Sequence, residues 1–347
     1  MLHNRQWLLK SRPKGALRLD NFEFCEQDIP EPDLKQGQIL VRNLMFTCAA
    51  TMRTWINAPG HSNRSIDLGT PIRGTAGGSQ VVKSNHPRFP VGTRVMILSL
   101  WEDYSVLEPD TSPMPVLAQP PEVKIIEAMR NLNSCTAYFG LLRVGQPQAG
   151  ETVVVSAAGS SVGSMVVQIA KIAGCRVIGI AGGHDKCDLV VKEFGADAAI
   201  DYKHENVSAR LKELCPKGVD VFFDNVGGDI LNAVIDNIAV KGRVAVCGQV
   251  AAYDSDAPAP GLRDMMKVIY RSVTIRGFAM NEFMQDADTA RADIKRWTEE
   301  GRLKHREDIR IGFENLPHAF MGLFKGENMG TLIVKSGEPD EGNPSFQ

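Results

Sequence analysis

The sequence predicts an α/β protein in which a β-rich region precedes a doubly wound parallel sheet. Residues 152–186 read as a strand, a turn of small residues, a helix and a second strand, which together form a βαβ unit. Strands and helices continue to alternate along the following chain, as they do in parallel sheets covered on both faces. Residues 1 to about 130 contain short apolar stretches separated by prolines and glycines, a pattern typical of a β domain.

The first βαβ unit has a turn suited to an anion. A short buried strand at residues 153–156 leads into small residues at 157–163, and apolar residues then recur at helical spacing to residue 172. The amide N–H groups and the dipole at the start of such a helix favour an anion. The unit therefore predicts a dinucleotide whose pyrophosphate lies on the turn. The alternative is a turn without a nucleotide, because small residues also occur wherever a helix packs closely on a strand.

The remaining elements follow from hydrophobic periodicity. Further strands are predicted at residues 176–180, 198–201, 219–224, 242–247, 273–278 and 331–335. Helices are predicted at residues 127–144, 186–194, 207–214, 230–238 and 286–300. In the β-rich region, strands are predicted at residues 37–43, 74–83 and 92–98. The tail after Ser336 is polar and rich in glycine and proline, so we expect it to be loose.

Composition excludes several classes of protein. The chain has 347 residues, enough for about two domains, and its net charge of -2 gives no electrostatic reason to expect nucleic acid or a membrane as partner. The N-terminal segment lacks a signal-peptide core, and no stretch approaches the roughly 18 apolar residues of a membrane span. Seven cysteines without a CxxC pair suggest neither a disulfide framework nor a zinc cluster. We therefore expect a reduced, cytoplasmic protein that acts on a small molecule.

The loop after the second strand indicates which nicotinamide cofactor fits. An NAD-binding fold closes this strand with an acidic residue for the ribose hydroxyl. Here the strand runs into Ala181, Gly182 and Gly183, and Asp185 comes late enough to be expected as a helix N-cap. Lys186 follows and suits the 2′-phosphate of NADP, unless it is an ordinary solvated lysine. Tyr202 is expected against the same phosphate or the adenine, or as an ordinary edge tyrosine.

Long blocks of the sequence match one known family. They are RQWLLKSRPKG, GTRVMILSLWEDY, TAYFGLLRVGQPQAGETVVVSAA, VGSMVVQIAKIAGCRVIGIAGGHDK, FFDNVGGDILN, GRVAVCGQVAAY and FENLPHAFMGLFKGENMGTLIVK. The chain resembles the zinc-independent medium-chain dehydrogenases/reductases, within them the NADP-dependent alkenal/one oxidoreductases. This group includes prostaglandin reductases, plant double-bond reductases and bacterial curcumin reductases.

The resemblance implies a GroES-like catalytic domain at residues 1–130, completed by residues 313–347, and a Rossmann NADP-binding domain at residues 131–312. It implies NADP(H) in the cleft between them and a homodimer formed through the sheet edges near residues 273–278. The implied cofactor contacts are Ser160, Ser161, Val162, Gly163, Lys186, Tyr202, Asn225, Cys247, Gly248, Tyr253, Phe278, Ala279, Met280 and Asn328.

Three segments depart from the family pattern. Relatives carry a glycine at the middle of the turn where this chain has Ser160. They carry DPYMR where this chain has Ala49, Ala50, Thr51, Met52 and Arg53, and a GMPG-like segment where it has residues 131–134. Because the last two segments border the substrate side in the family, Thr51 and Arg53 are the candidate substrate-pocket residues.

The implied chemistry is reduction of a C=C bond next to a carbonyl. Hydride goes to the β-carbon, and a donor must stabilise the enolate oxygen. The resemblance places Tyr270 near the nicotinamide, which makes it the candidate donor or proton source. The alternatives are a buried tyrosine bonded to the backbone, with the cofactor ribose hydroxyl or water as donor. His61 and Arg53 are secondary candidates.

The remaining expectations concern two cysteines and three alternative functions. No metal is predicted, because the GHE segment and four-cysteine lobe of zinc alcohol dehydrogenases are missing and Cys48 has no histidine partner in sequence reach. Cys247 is expected to be small packing beside the cofactor rather than a nucleophile. The alternative functions are a quinone reductase of the same superfamily, a reductase for bulky aromatic enones, and a non-catalytic NADPH-binding protein.

Overall fold

The computed structural model describes residues 1–57, 65–112, 115–255 and 260–340, without the side chains of residues 130–132. The strands are β1 Leu2–Leu9, β2 Phe22–Ile29, β3 Ile39–Thr47, β4 Gly77–Ser84, β5 Arg94–Ile97, β6 Tyr104–Leu107, β7 Leu117–Ala118, β8 Thr152–Ser156, β9 Arg176–Ala181, β10 Ala198–Asp201, β11 Val219–Asp224, β12 Ile238–Val246, β13 Thr274–Gly277, β14 Glu307–Ile311 and β15 Thr331–Lys335. The helices are α1 Met52–Ile56, α2 Ile125–Phe139, α3 Ser161–Ile172, α4 His184–Lys192, α5 Val207–Leu214, α6 Gly228–Asp236, α7 Val250–Tyr253, α8 Met265–Tyr270, α9 Ala287–Glu299 and α10 Leu316–Lys325.

The chain divides into two compact units. The β unit comprises Met1–Arg130, Asp308–Glu327 and Leu332–Gln347. The α/β unit comprises Asn131–Glu307 and Asn328–Thr331. Among the described helices, none combines the length and the apolar composition needed to cross a membrane.

The α/β unit is built on a parallel sheet with the strand order β10-β9-β8-β11-β12-β13. All five strand pairs in this order are parallel. Successive connections leave β8 in opposite directions, so the strand order reverses between β8 and β11. In open sheets of this kind, ligands bind outside the carboxyl ends of the strands at such a reversal. The predicted doubly wound parallel sheet is confirmed.

Helices cover both faces of this sheet because alternate strand residues point to opposite sides. Val153 and Val155 of β8 belong to one buried cluster, which includes Met165 and Ile169 of α3. Val154, between them, belongs to a second cluster that includes Leu211 of α5 and Val234 of α6. Strands buried on both faces are apolar at every position, which explains the uninterrupted run of valines in β8. Each fully buried valine stabilises the fold by about 1.5–3 kcal/mol.

The β unit contains a two-stranded sheet, β1-β2, and a seven-stranded sheet in the order β14-β15-β3-β4-β5-β7, with β6 paired to β3. Its core includes the fully buried rings of Phe46, Trp101, Phe313 and Phe320. Phe46 meets Phe313 at 5.6 Å between ring centroids, and Trp101 meets Phe320 at 5.9 Å, both edge to face. Because Phe313 and Phe320 come from the end of the chain, the C-terminal segment is part of this core.

Two local expectations are corrected by the structure. The helix predicted at 127–144 starts at Ile125 and becomes a π-helix at Gly140–Gly145. A side chain at position 140 would not fit there, because its Cβ would lie 2.3 Å from the ring of Phe278. Asp185 is not the N-cap of α4; Gly183 takes that position and Asp185 lies in the first turn.

The tail is not loose over its first residues. The N–H groups of Ser336 and Gly337 donate to the carbonyl of Leu44 at 2.8 and 3.3 Å. Asp340 and Gln80 exchange two hydrogen bonds, at 2.9 and 3.2 Å. A polar composition indicated a loose segment, but backbone and side-chain partners in β3 and β4 hold residues 336–340 in place.

Candidate cofactor site

The turn between β8 and α3 is shaped by close backbone packing. Ala157 has a positive φ of 50°, and a Cβ at Gly163 would lie only 2.1 Å from the carbonyl oxygen of Ala157. Only glycine fits at position 163, as the family pattern requires. Ser160 is the N-cap of α3, and its Oγ accepts from the N–H of Gly163 at 3.2 Å. The serine that replaces the middle glycine is therefore a helix cap whose hydroxyl hydrogen can still be donated.

Lys186 and Tyr202 both lie against the glycines of this edge. The side chain of Lys186 passes 3.8 Å from the position that a Cβ on Gly159 would take. The ring and hydroxyl of Tyr202 come within 2.8–2.9 Å of a Cβ position on Gly182, so the ring packs directly against this glycine. The turn before α3, the loop after β9 and the end of β10 therefore lie close together, although Gly159 and Tyr202 are far apart in the sequence.

Asp201 completes this arrangement, although the sequence analysis did not single it out. Its carboxylate accepts from the N–H of Gly183 at 2.8 Å, from the N–H of Lys203 at 3.1 Å, and from the ring of His204 at 2.7 Å. Burial raises the pKa of this carboxyl, but the hydrogen bonds from His204, Gly183 and Lys203 bring the pKa below its ordinary value. The negative charge is therefore held by protein donors. An acidic residue closing the third strand was the available signal.

A second polar cluster lies where β8 and β11 end. Asn225 donates from its side chain to the carbonyl of Ser156 at 2.7 Å, and its N–H donates to the hydroxyl of Ser156 at 2.8 Å. That hydroxyl donates to Oδ1 of Asp224 at 3.0 Å. The same oxygen accepts from the N–H groups of Val226 and Gly227, each at 2.9 Å. Asn225 thus orders the ends of two strands at the point of reversal.

Asp224 is a further residue that the sequence analysis missed. It is 1% exposed, and its second oxygen, Oδ2, is buried with no hydrogen-bond partner in the described part of the chain. Burial raises the pKa of this carboxyl, against the hydrogen bonds from Gly227, Val226 and Ser156. An orphaned buried oxygen at the carboxyl end of a central strand marks the place where a ligand would be expected to complete the hydrogen bonding.

The segment after β12 is tied to the same aspartate. The N–H groups of Cys247 and Gly248 donate to the carbonyl oxygen of Asp224 at 2.8 and 3.1 Å. Tyr253 accepts at its hydroxyl from the N–H of Gln249 at 3.2 Å. Burial, together with the charge of Asp224, raises the pKa of the Cys247 thiol to about 12. A thiol with this pKa stays protonated and is not a nucleophile, which supports the packing interpretation.

The other predicted cofactor contacts of the α/β unit are positioned by neighbouring residues. Phe278 packs on Phe223 at 6.2 Å between ring centroids. The N–H of Ala279 donates to Glu282 at 2.9 Å, and Met280 begins a short 3-10 helix. The half-exposed Val162 packs against one of the two buried clusters that cover the sheet. Asn328 is buried and donates to the carbonyl of Gly330 at 3.0 Å.

Tyr270 is the last residue of α8 and is 76% exposed. The alternative of a buried tyrosine bonded to the backbone is therefore wrong. Met265, Met266 and Ile269 of the same helix are also exposed, so the phenol stands on an apolar surface.

The candidates from the departing segment occupy different environments in the β unit. Thr51 is exposed at the N-cap of α1. Arg53 is 1% exposed, and its guanidinium donates to the carbonyl of Gly15 at 2.8 Å and to the side chain of Asn57. Arg53 therefore joins two segments of the β unit. His61 lies outside the described residues.

The described residues contain no group of three or more His, Cys, Asp or Glu side chains arranged to hold a metal. Cys48 is buried, and burial raises the pKa of its thiol to about 12.

Comparison with known proteins covers nearly the whole chain. Residues 5–114 match a family model described as the N-terminal domain of oxidoreductase, and residues 161–296 match one described as zinc-binding dehydrogenase. The chain is 34% identical to the NADPH-dependent curcumin reductase of Escherichia coli over 96% of both chains. It is 35% identical to prostaglandin reductase 1 of Sus scrofa over 97% of this chain and 100% of that protein.

A solved structure shows the same architecture. The crystal structure of CurA from Vibrio vulnificus in complex with NADPH matches with a TM-score of 0.89 and 34% identity, over 96% of this chain and 100% of that one. This match confirms the GroES-like and Rossmann folds expected from the sequence. The chain belongs to the NADP-dependent alkenal/one oxidoreductases of the medium-chain dehydrogenase/reductase superfamily.

Proposed function

We propose that the protein reduces the activated C=C bond of α,β-unsaturated ketones or aldehydes, with NADPH as the hydride donor and without a metal. The observation that carries this proposal is the convergence of the α3 turn, Lys186 and Tyr202 at one edge of the parallel sheet. The activities named for the curcumin and prostaglandin reductases, each about a third identical to this chain, support the same reaction class.

The residues at this edge fit NADP(H). Glycine at positions 163 and 182 lets the backbone pack closely on Ala157 and Tyr202, where a Cβ would collide. Lys186 adds positive charge beside the turn, where a 2′-phosphate would need it. Asp201, which accepts a hydrogen bond from the N–H of Gly183 in this loop, is occupied by protein donors, so it does not take the role that an acid has in NAD-binding folds.

The chain's own residues would supply binding, orientation and proton donation. When bound, NADPH supplies the hydride for the β-carbon of the substrate. The turn and Lys186 would hold its phosphates, and the Asn225 and Asp224 cluster would order the strand ends near the reversal point. Tyr270 is proposed as the donor to the substrate carbonyl oxygen or the proton source at the α-carbon, where negative charge develops. Its exposed phenol is available to a ligand.

Residues of β13 and α8 support a homodimer. The four residues of β13, at the edge of the parallel sheet, are exposed, including Ile275. Met265, Met266 and Ile269 add an apolar surface on α8. An exposed edge strand with apolar neighbours is a ready site for pairing with another chain, and we propose a second copy of this protein as the partner. Light scattering of Ile275→Lys would show a monomer if this edge is the interface, and an unchanged mass would contradict it.

The test of the proposed reaction is the oxidation of NADPH in the presence of enals, enones and quinones, with NADH in parallel. Turnover of enones or enals with NADPH and little with NADH supports the proposal. Preferred turnover of quinones would assign the related quinone reductase activity instead. NADPH binding without turnover of any acceptor would indicate a binding protein. Tyr270→Phe should lower turnover while the dissociation constant for NADPH stays unchanged.

A further inference from the structure

Three polar side chains at the start of α3 form a continuous hydrogen-bonded chain. Asn133 of α2 donates from Nδ2 to Oγ of Ser161 at 2.6 Å. Ser161 and Thr331 share a hydrogen bond of 2.7 Å between their hydroxyl oxygens. All three residues are half-buried. The residues come from α2, α3 and the start of β15, so only the fold brings them together.

Within this series of hydrogen-bonded side chains, one hydroxyl hydrogen is left without an acceptor. The amide nitrogen of Asn133 can only donate, so Ser161 accepts from it. The two hydroxyls carry two hydrogens, and the bond between them uses one. If each hydroxyl accepts one bond and donates one, Ser161 donates to Thr331, and the hydrogen of Thr331 remains for another acceptor. In this order every hydrogen bond of the series is polarised in the same direction, and each one strengthens the next.

Backbone contacts hold Thr331 beside the turn. The N–H of Gly330 donates to the carbonyl of Gly159 at 2.9 Å, and Gly330 forms an isolated parallel β-bridge with Ser160. Gly330 has a φ of 84°, and a Cβ there would lie 2.2 Å from the carbonyl oxygen of Arg306. The segment Asn328–Thr331 is thus joined to the turn before α3 by backbone contacts at Gly330. The position of Thr331 is therefore set by contacts of the backbone.

We propose that Thr331 donates its hydroxyl hydrogen to the pyrophosphate of bound NADP(H), with Ser161 and Asn133 as the positioning residues that orient it. The inference rests on the proposed function, because it needs the cofactor on this turn. A phosphate oxygen carries negative charge, and the dipole of the 12-residue helix α3 favours it at the same place. Ser160, whose oxygen is used by Gly163, offers a second hydroxyl hydrogen nearby.

The test compares two ligands and two substitutions at one position. NADPH carries the pyrophosphate, whereas 2′-AMP carries the 2′-phosphate without it. Dissociation constants for both are measured by calorimetry on the wild-type protein, Thr331→Val and Thr331→Ser. Thr331→Val keeps the shape and removes the hydroxyl, so it should weaken NADPH about tenfold, as expected for a lost hydrogen bond to a charged group, and leave 2′-AMP unchanged. Thr331→Ser keeps the hydroxyl and should restore the affinity to within about twofold of the wild type.

The control is Ser164→Ala in the same helix, where the hydroxyl only donates to the carbonyl of Ser161 at 3.2 Å. It should bind both ligands as the wild type does. Unchanged NADPH affinity in Thr331→Val would overturn the inference, and so would an equal loss for NADPH and 2′-AMP, since that indicates a structural effect. A wild-type protein that binds neither ligand would remove the proposed function itself. Melting temperatures of the unliganded variants verify that each one is folded.

Discussion

The turn before α3 in the α/β unit and residues 49–53 of the β unit depart from the family pattern in different ways. At the turn, Ser160 replaces a glycine, yet it caps α3 and leaves the close packing at Gly163 intact. In the other segment, the aromatic, acidic and proline residues are gone, and Arg53 is buried against the carbonyl of Gly15. The comparison teaches that a substitution in a site defined by backbone geometry can preserve that site. A site defined by side chains changes with them.

The largest expected effect comes from filling the turn. Gly163→Ala would place a Cβ 2.1 Å from backbone atoms that cannot move aside. We expect a loss of about 3 kcal/mol in the free energy of unfolding and loss of NADPH binding, measured by denaturant titration and calorimetry. Gly159→Ala is the matched control, because its Cβ would meet only the side chain of Lys186 at 3.8 Å. If both variants bind NADPH equally, the turn is not the cofactor site.

Replacing Arg53 tests the departing segment of the β unit. Arg53→Met removes a buried guanidinium that bonds Gly15 and Asn57, and we expect the free energy of unfolding to fall by about 2–3 kcal/mol. The dissociation constant for NADPH should not change. The control is Arg12→Met, a less buried residue that donates to the carbonyl of Ile56 at 2.9 Å. A stable Arg53→Met protein with a raised KM for the enone would instead make Arg53 a substrate residue.

Asp224 gives a pH-dependent prediction. Because burial raises the pKa of this carboxyl in the folded protein, folding favours its protonated form. Its contribution to stability is therefore fully present below the unfolded pKa, and it declines as pH rises through the folded pKa. Asp224→Asn should flatten this decline in urea titrations from acidic to neutral pH. Asp224→Ala, which removes the acceptor for three hydrogen bonds, should cost about 2 kcal/mol at acidic pH and less as pH rises. An identical pH profile in Asp224→Asn would contradict the raised pKa.

The smallest expected effect is on the free energy of NADPH binding when Lys186 is replaced. Lys186→Ala should weaken NADPH by about tenfold and leave NADH unaffected, because one charge-assisted contact to the 2′-phosphate is lost. Lys203→Ala, an exposed lysine after β10, serves as the control. The measurement is the ratio of the two dissociation constants. A ratio that does not move in Lys186→Ala would mean that other residues select the phosphate.

Much of the α/β unit could be predicted from the sequence. The strand at 153–156, the helix up to residue 172 and the strand at 176–180 occur within a residue or two of their expected positions. Their apolar residues recur with the period of the element that contains them, and this period is a local property. The roles of Asp201 and Asp224 could not be predicted in this way, because their meaning lies in donors that other segments present to them.

What the sequence by itself determined is the order of strands and helices and the glycine positions of the turn. These features follow from periodicity and from steric exclusion of a Cβ, which act over a few residues. Only the tertiary structure decided that Arg53 is buried, that residues 336–340 are held, and that Asn133, Ser161 and Thr331 form one chain. Each of these depends on a hydrogen bond between residues far apart in sequence, and no local pattern encodes such a pairing.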